Sequence, residues 1–135
     1  MTFNNVKNIF LIGIGGIGMS ALARYFITKK KDVIGYDREY SEITDALQKS
    51  GVIITYDKHD YSTIEKLESQ KDETLVIYSS AIKKDHSLLN QFIIKDFNIA
   101  KRASVLEIIS NSCKCIAIAG THGKTTTASI LTHIL

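Results

Sequence analysis

Tryptophan and proline are absent from this sequence, cysteine occurs only twice, and no apolar run approaches the length of a membrane span. Each shortage excludes something. Cys113 and Cys115 are too few to staple a small secreted scaffold, and a C-x-C pair without a second Cys or His pair nearby does not complete a tetrahedral metal site. The opening residues 1–7 lack the apolar core of a signal peptide, and a spanning helix needs roughly 20 apolar residues in a row. These absences predict a cytoplasmic protein without membrane insertion. With no proline and no glycine- or serine-rich tract, composition announces no linker. One-sided charge is also missing, since 17 basic residues face 14 acidic ones for a net +3. That balance predicts no nucleic-acid partner, and the run Lys29, Lys30, Lys31 reads as the solvated end of a helix.

What is present is a chain of 135 residues with 44% hydrophobic side chains, enough for one ordinary domain core. Apolar runs at 8–13, 32–37, 52–56, 74–78 and 97–100 read as strands. Periodic segments at 17–28, 43–49, 63–69, 87–96 and 104–110 read as helices. Their alternation predicts a Rossmann-like α/β fold, a mainly parallel sheet flanked by helices. Ser41 is placed to cap the second helix, and Ser62 with Glu65 has capping-box spacing for the third. A sixth strand is expected at 114–119, running into a second glycine loop and a last helix. The boundary between the two units falls near 111–114, giving a first domain over 1–112 and the start of another over 113–135.

Two glycine loops carry the chemistry. The first, Gly13-Ile14-Gly15-Gly16-Ile17-Gly18, has G-x-G-x-x-G spacing between a strand and a helix. Its glycines suit a tight turn, a close approach of a diphosphate and a close helix-to-strand contact, while the helix start offers unpaired N–H groups. Asp37 follows the second strand, nineteen residues after Gly18, where a carboxylate can bind ribose hydroxyls. NAD and a UDP-sugar both satisfy this set. The second loop, Gly120-Thr121-His122-Gly123-Lys124-Thr125-Thr126, has the strand–loop–helix order of a P-loop. Backbone N–H groups there would cradle phosphates, Lys124 would reach the terminal ones, and the Thr125 hydroxyl would coordinate Mg²⁺. Only Thr121 and His122 separate Gly120 from Gly123, which makes the loop shorter than the common pattern. Between the loops, Ser79 and Ser80 follow the fourth strand, His59 the third and Arg102 the fifth. All fall at the carboxyl ends of strands, the rim where open parallel sheets collect ligands.

Taken together, Gly13 to Ala23, Ser79 to Ile82, His59, the stretch from Arg102 to Leu106 and Ala119 to Thr127 resemble the Mur ligase family over nearly the whole chain. The shortened P-loop is the form that family uses. Ser104 stands where an acidic residue is common in the family. The resemblance implies a three-domain, ATP-dependent carboxylate–amine ligase of peptidoglycan precursor synthesis, with this chain as its N-terminal part and inactive alone. In the member most similar, ATP phosphorylates UDP-N-acetylmuramic acid and L-alanine attacks the acyl phosphate. A murein-peptide recycling member shares the second loop and differs in the first. Outside the family, a nonenzymatic NAD-sensing module is the rival reading. By the same resemblance, Gly13, Gly15, Gly16, Ile17, Gly18, Asp37, His59, Ser79, Ser80 and Arg102 bind the UDP-sugar. Gly120, Thr121, His122, Gly123, Lys124, Thr125 and Thr126 bind ATP, with Lys124 and Thr125 acting in catalysis and Thr125 holding Mg²⁺.

Overall fold

Five β-branched and aliphatic-rich runs become the strands β1 (Asn8–Ile12), β2 (Asp32–Tyr36), β3 (Ile53–Thr55), β4 (Thr74–Tyr78) and β5 (Asn98–Lys101) of the computed structural model, which describes residues 3–135. All four pairings are parallel, and the strand order is β3-β2-β1-β4-β5. The helices α1 (Ile17–Thr28), α2 (Glu42–Lys49), α3 (Ser62–Glu68) and α4 (Ser87–Ile94) occupy the connections, and α5 (Arg102–Asn111) follows β5. A short 3-10 turn at Lys71–Glu73, unexpected from the sequence, leads into β4.

β1 lies at the centre, and every one of its side chains is buried. The two-residue period of a strand sends alternate side chains to opposite faces. Ile9 and Leu11 therefore join Leu22, Phe26, Leu47 and Val105 from α1, α2 and α5, while Phe10 and Ile12 join Ile64, Leu67, Leu89 and Phe92 from α3 and α4. Two cores sandwich one sheet. At about 1.5–3 kcal/mol for each fully buried large apolar side chain, these layers dominate stability. The exposed pairs Lys7–Glu73 and Lys49–Asp45 contribute about 0–1 kcal/mol each by comparison.

One local expectation holds, and two are corrected. Ser41 caps α2: its hydroxyl accepts from Thr44 N–H, and the Thr44 hydroxyl accepts in return from Ser41 N–H at 2.8 Å. The capping box at Ser62 does not form. Asp60 takes that role, accepting from the Ser62 N–H at 3.1 Å and its hydroxyl at 2.6 Å, because an aspartate two residues upstream reaches the orphan donor directly. Lys31 is not merely solvated either, since its ammonium donates to the carbonyls of Phe3 and Val6 at 3.1 and 2.6 Å.

The largest departure is at 114–119, which forms no strand. The run is apolar enough, but among the described residues no neighbouring strand offers it a ladder, and an unpaired strand leaves its backbone groups to water. The helix beyond it, α6 (Lys124–Ile134), is present and buries no residue.

Candidate functional site

Because the sheet is parallel, the carboxyl ends of all five strands open on one rim. β1 delivers Gly13, β2 Asp37, β3 the Lys58–His59 loop, β4 Ser79 and Ser80, and β5 Arg102. The strand order changes direction between β1 and β4, and such switch points are where ligands sit in open α/β sheets.

The first glycine loop is held by its neighbours. Gly13 has φ +82°, a conformation that suits glycine, and both Gly13 and Ile14 donate their N–H to the Tyr36 carbonyl, at 2.8 and 3.0 Å. Gly35 in β2 makes room for Ile14, since a Cβ there would lie 2.6 Å from Ile14 Cδ1. Asp37 takes a role the sequence did not reveal. Its Oδ2 accepts the Gly15 N–H at 2.7 Å and its Oδ1 accepts the Glu39 N–H at 3.2 Å. Gly15 must be bare for this, as a Cβ would sit 2.8 Å from Asp37 Oδ2 and 2.9 Å from Thr44 Cγ2. The carboxylate is thus a fastener between β2 and the loop. Asp37→Ala is expected to lower stability by about 1–3 kcal/mol, the usual worth of a hydrogen bond to a charged group plus an orphaned donor. The midpoint of urea denaturation measures it.

A cleft of about 610 Å³ lies on this rim, bounded by Gly13, Tyr36 and Asp37 on one side and by Lys58, His59, Ile82, Lys83, His86 and Ser87 on the other. The structure therefore gathers Gly13, Asp37 and His59. Ser79 and Ser80 lie on the same rim but do not line the cleft; their successors Ala81 and Ile82 do. His59 is exposed, with its N–H donated to Asp57 Oδ1 at 2.9 Å and its Nδ1 3.3 Å from the Tyr61 hydroxyl. Arg102 belongs to another part of the rim, where its guanidinium lies on Gly18.

Sequence reading missed His86, Lys58 and Lys83. His86 packs its ring against Tyr36, centroids 5.2 Å apart, and its Nδ1 is buried without a hydrogen-bond partner among the described residues. Burial first, and then the Lys58 ammonium, push its pKa below the usual histidine value, against the opposing pull of Asp85. The available signal was position alone: His86 immediately precedes α4 and Lys58 follows β3. Ser87 ties the two, its hydroxyl donating to the Lys58 carbonyl at 2.9 Å.

The second loop lies outside this cleft and is exposed throughout. Gly123 has φ +77° and stands as the N-cap of α6, with no side chain capping the helix. Lys124 folds back so that its ammonium donates to the Gly120 carbonyl at 2.6 Å. An uncapped helix start beside a lysine that has no carboxylate partner among the described residues suits an anion.

A five-stranded parallel sheet with helices on both faces and a fastened glycine loop at its switch point defines a Rossmann-like α/β domain. The chain belongs to the Mur ligase family, whose catalytic-domain model matches residues 8–113. UDP-N-acetylmuramate–L-alanine ligase of Flavobacterium psychrophilum is 47% identical over 135 residues, covering 100% of this chain and 30% of that protein. Its namesake from Parabacteroides distasonis is 44% identical over 135 residues, covering 29% of that protein. Among solved structures, UDP-N-acetylmuramate-alanine ligase of Thermotoga maritima superposes with a TM-score of 0.82 at 30% identity, over 94% of this chain and 28% of that one. A murein peptide ligase of Psychrobacter arcticus gives 0.80 at 29% identity, over 95% and 26%. The chain spans about 30% of the length of the curated relatives it matches.

Proposed function

We propose that this chain is the sugar-nucleotide-binding part of an ATP-dependent ligase that joins L-alanine to UDP-N-acetylmuramic acid through an acyl phosphate. Residues 1–112 form the UDP-sugar domain and 113–135 begin the ATP-binding domain. The observation that carries this reading is the pairing of two unlike phosphate loops on one chain. One is fastened by Asp37 at a sheet switch point, and the other is exposed and uncapped ahead of α6. The identities of 42–47% to relatives named for that ligase favour it over the murein-peptide recycling reaction, which the fold alone leaves level.

In this reading the loop from Gly13 to Gly18 anchors the diphosphate, with Arg102 beside it. Asp37, His59, Ser79 and Ser80 serve the nucleoside and sugar. In the second loop the N–H groups of 120–126 and the Lys124 ammonium face the terminal phosphates of ATP. The Thr125 hydroxyl makes no hydrogen bond among the described residues, which suits a ligand of Mg²⁺. Bound Mg²⁺ would neutralise phosphate charge; the protein's own part is alignment and electrostatic support. Cytoplasmic location follows from the substrates. No helix among the described residues is long and apolar enough to cross a membrane.

Calorimetric titration with UDP-N-acetylmuramic acid and with NADH tests the proposal. Saturable binding of the sugar nucleotide and none of NADH is the expected result. Selective NADH binding would overturn it in favour of a dinucleotide sensor.

A further inference from the structure

The third glycine of the first loop is expected to let a helix approach a strand closely. In this molecule its bareness serves a different neighbour. A Cβ built on Gly18 would overlap Arg102 Nη1 and lie 3.1 Å from Arg102 Cζ, and no strand atom is among its nearest contacts. The guanidinium rooted at the head of α5 therefore rests on the head of α1. Neither helix has an acidic residue in its first turn, and the N-caps, Gly16 and Lys101, supply no side-chain capping bond. None of the ion pairs among the described residues involves Arg102. A cation placed there adds to two positive helix ends instead of offsetting them. An anion there would offset all three.

We infer that Gly18 is a positioning residue: it seats the Arg102 guanidinium beside the first glycine loop, where the planar fork meets the diphosphate of a nucleoside-diphosphate sugar. This rests on the sugar-nucleotide reading above. Arginine suits the position because its fork can engage two phosphate oxygens at once. Alanine at position 18 would displace only the far end of a flexible side chain, so the fold absorbs it, and alanine is the better helix former. Stability and affinity should therefore part company.

The test is a double-mutant cycle on the 135-residue chain, titrated with UDP-N-acetylmuramic acid and melted in parallel. Gly18→Ala is expected to melt at the same temperature as the parent or higher, yet to bind roughly tenfold or more weakly, as does Arg102→Ala. The double variant should bind no more weakly than Arg102→Ala alone. Undiminished binding by Gly18→Ala, a full further loss in the Arg102→Ala background, or a clearly lowered melting temperature would each overturn the inference. If the parent chain itself fails to bind, the sugar-nucleotide reading falls and takes this inference with it.

Discussion

Lys124→Ala, made in the protein extended to the length of its relatives, is expected to slow ligation about 100- to 1,000-fold, the usual effect of removing one donor aimed at developing negative charge. Affinity for UDP-N-acetylmuramic acid should hardly change. The asymmetry follows from the layout: Lys124 sits in a second loop that does not line the cleft on the sheet's rim. Among the described residues its ammonium is held only by the Gly120 carbonyl at 2.6 Å, a neutral acceptor it can leave when phosphate oxygens arrive. Steady-state turnover and calorimetry on the same variant measure the two quantities separately. Turnover equal to the parent would remove Lys124 from the mechanism, and lost sugar-nucleotide affinity would mean that the two loops act as one site.

The second large effect concerns stability. Phe92 on α4 is fully buried, 4.7 Å from the Phe10 ring and 5.0 Å from the Phe97 ring by centroid. It is the aromatic hinge pin of the core on the α3–α4 face, joining the central strand to the entry of β5. Phe92→Ala is expected to cost about 3–5 kcal/mol, the sum of lost burial and a cavity that the rigid sheet cannot collapse. For a domain of this size that lowers the melting temperature by roughly 10 °C or more. Differential scanning calorimetry measures it. A shift of only a degree or two would mean that the neighbouring Leu88 and Leu89 can refill the space.

Elements whose signal is local were readable from the residues. The boundaries of α1 and β4 match the sequence reading to the residue, because the one is a long periodic run and the other a short apolar run, each with a sharp break at either end. The Ser41 cap was legible for the same reason, as a contact three residues long. Non-local arrangements were not. That Asp37 would fasten Gly15 across twenty-odd residues depends on the register of β1 against β2, and that Arg102 would lie on Gly18 depends on where α5 crosses α1. Neither leaves a mark in the spacing. The strand expected at 114–119 failed for a related reason: its composition is that of a strand, but pairing supplies the structure and no partner is among the described residues. His86 was overlooked because a histidine before a helix is unremarkable until its ring is seen packed against Tyr36.

The sheet's order also dictates a schedule of assembly. Of the five strands, the earliest in sequence is the middle one of the sheet, and its second flank pairs with β4, register Asn8 to Thr74. While a ribosome is still adding the residues between them, Phe10 and Ile12 belong to a hairpin-free, half-clad ribbon with no α4 to cover them. Long-range pairing of this kind is slow and leaves apolar surface waiting. Until residue 97 has been added, the second apolar face lacks the contact of Phe92 with Phe97 that closes it.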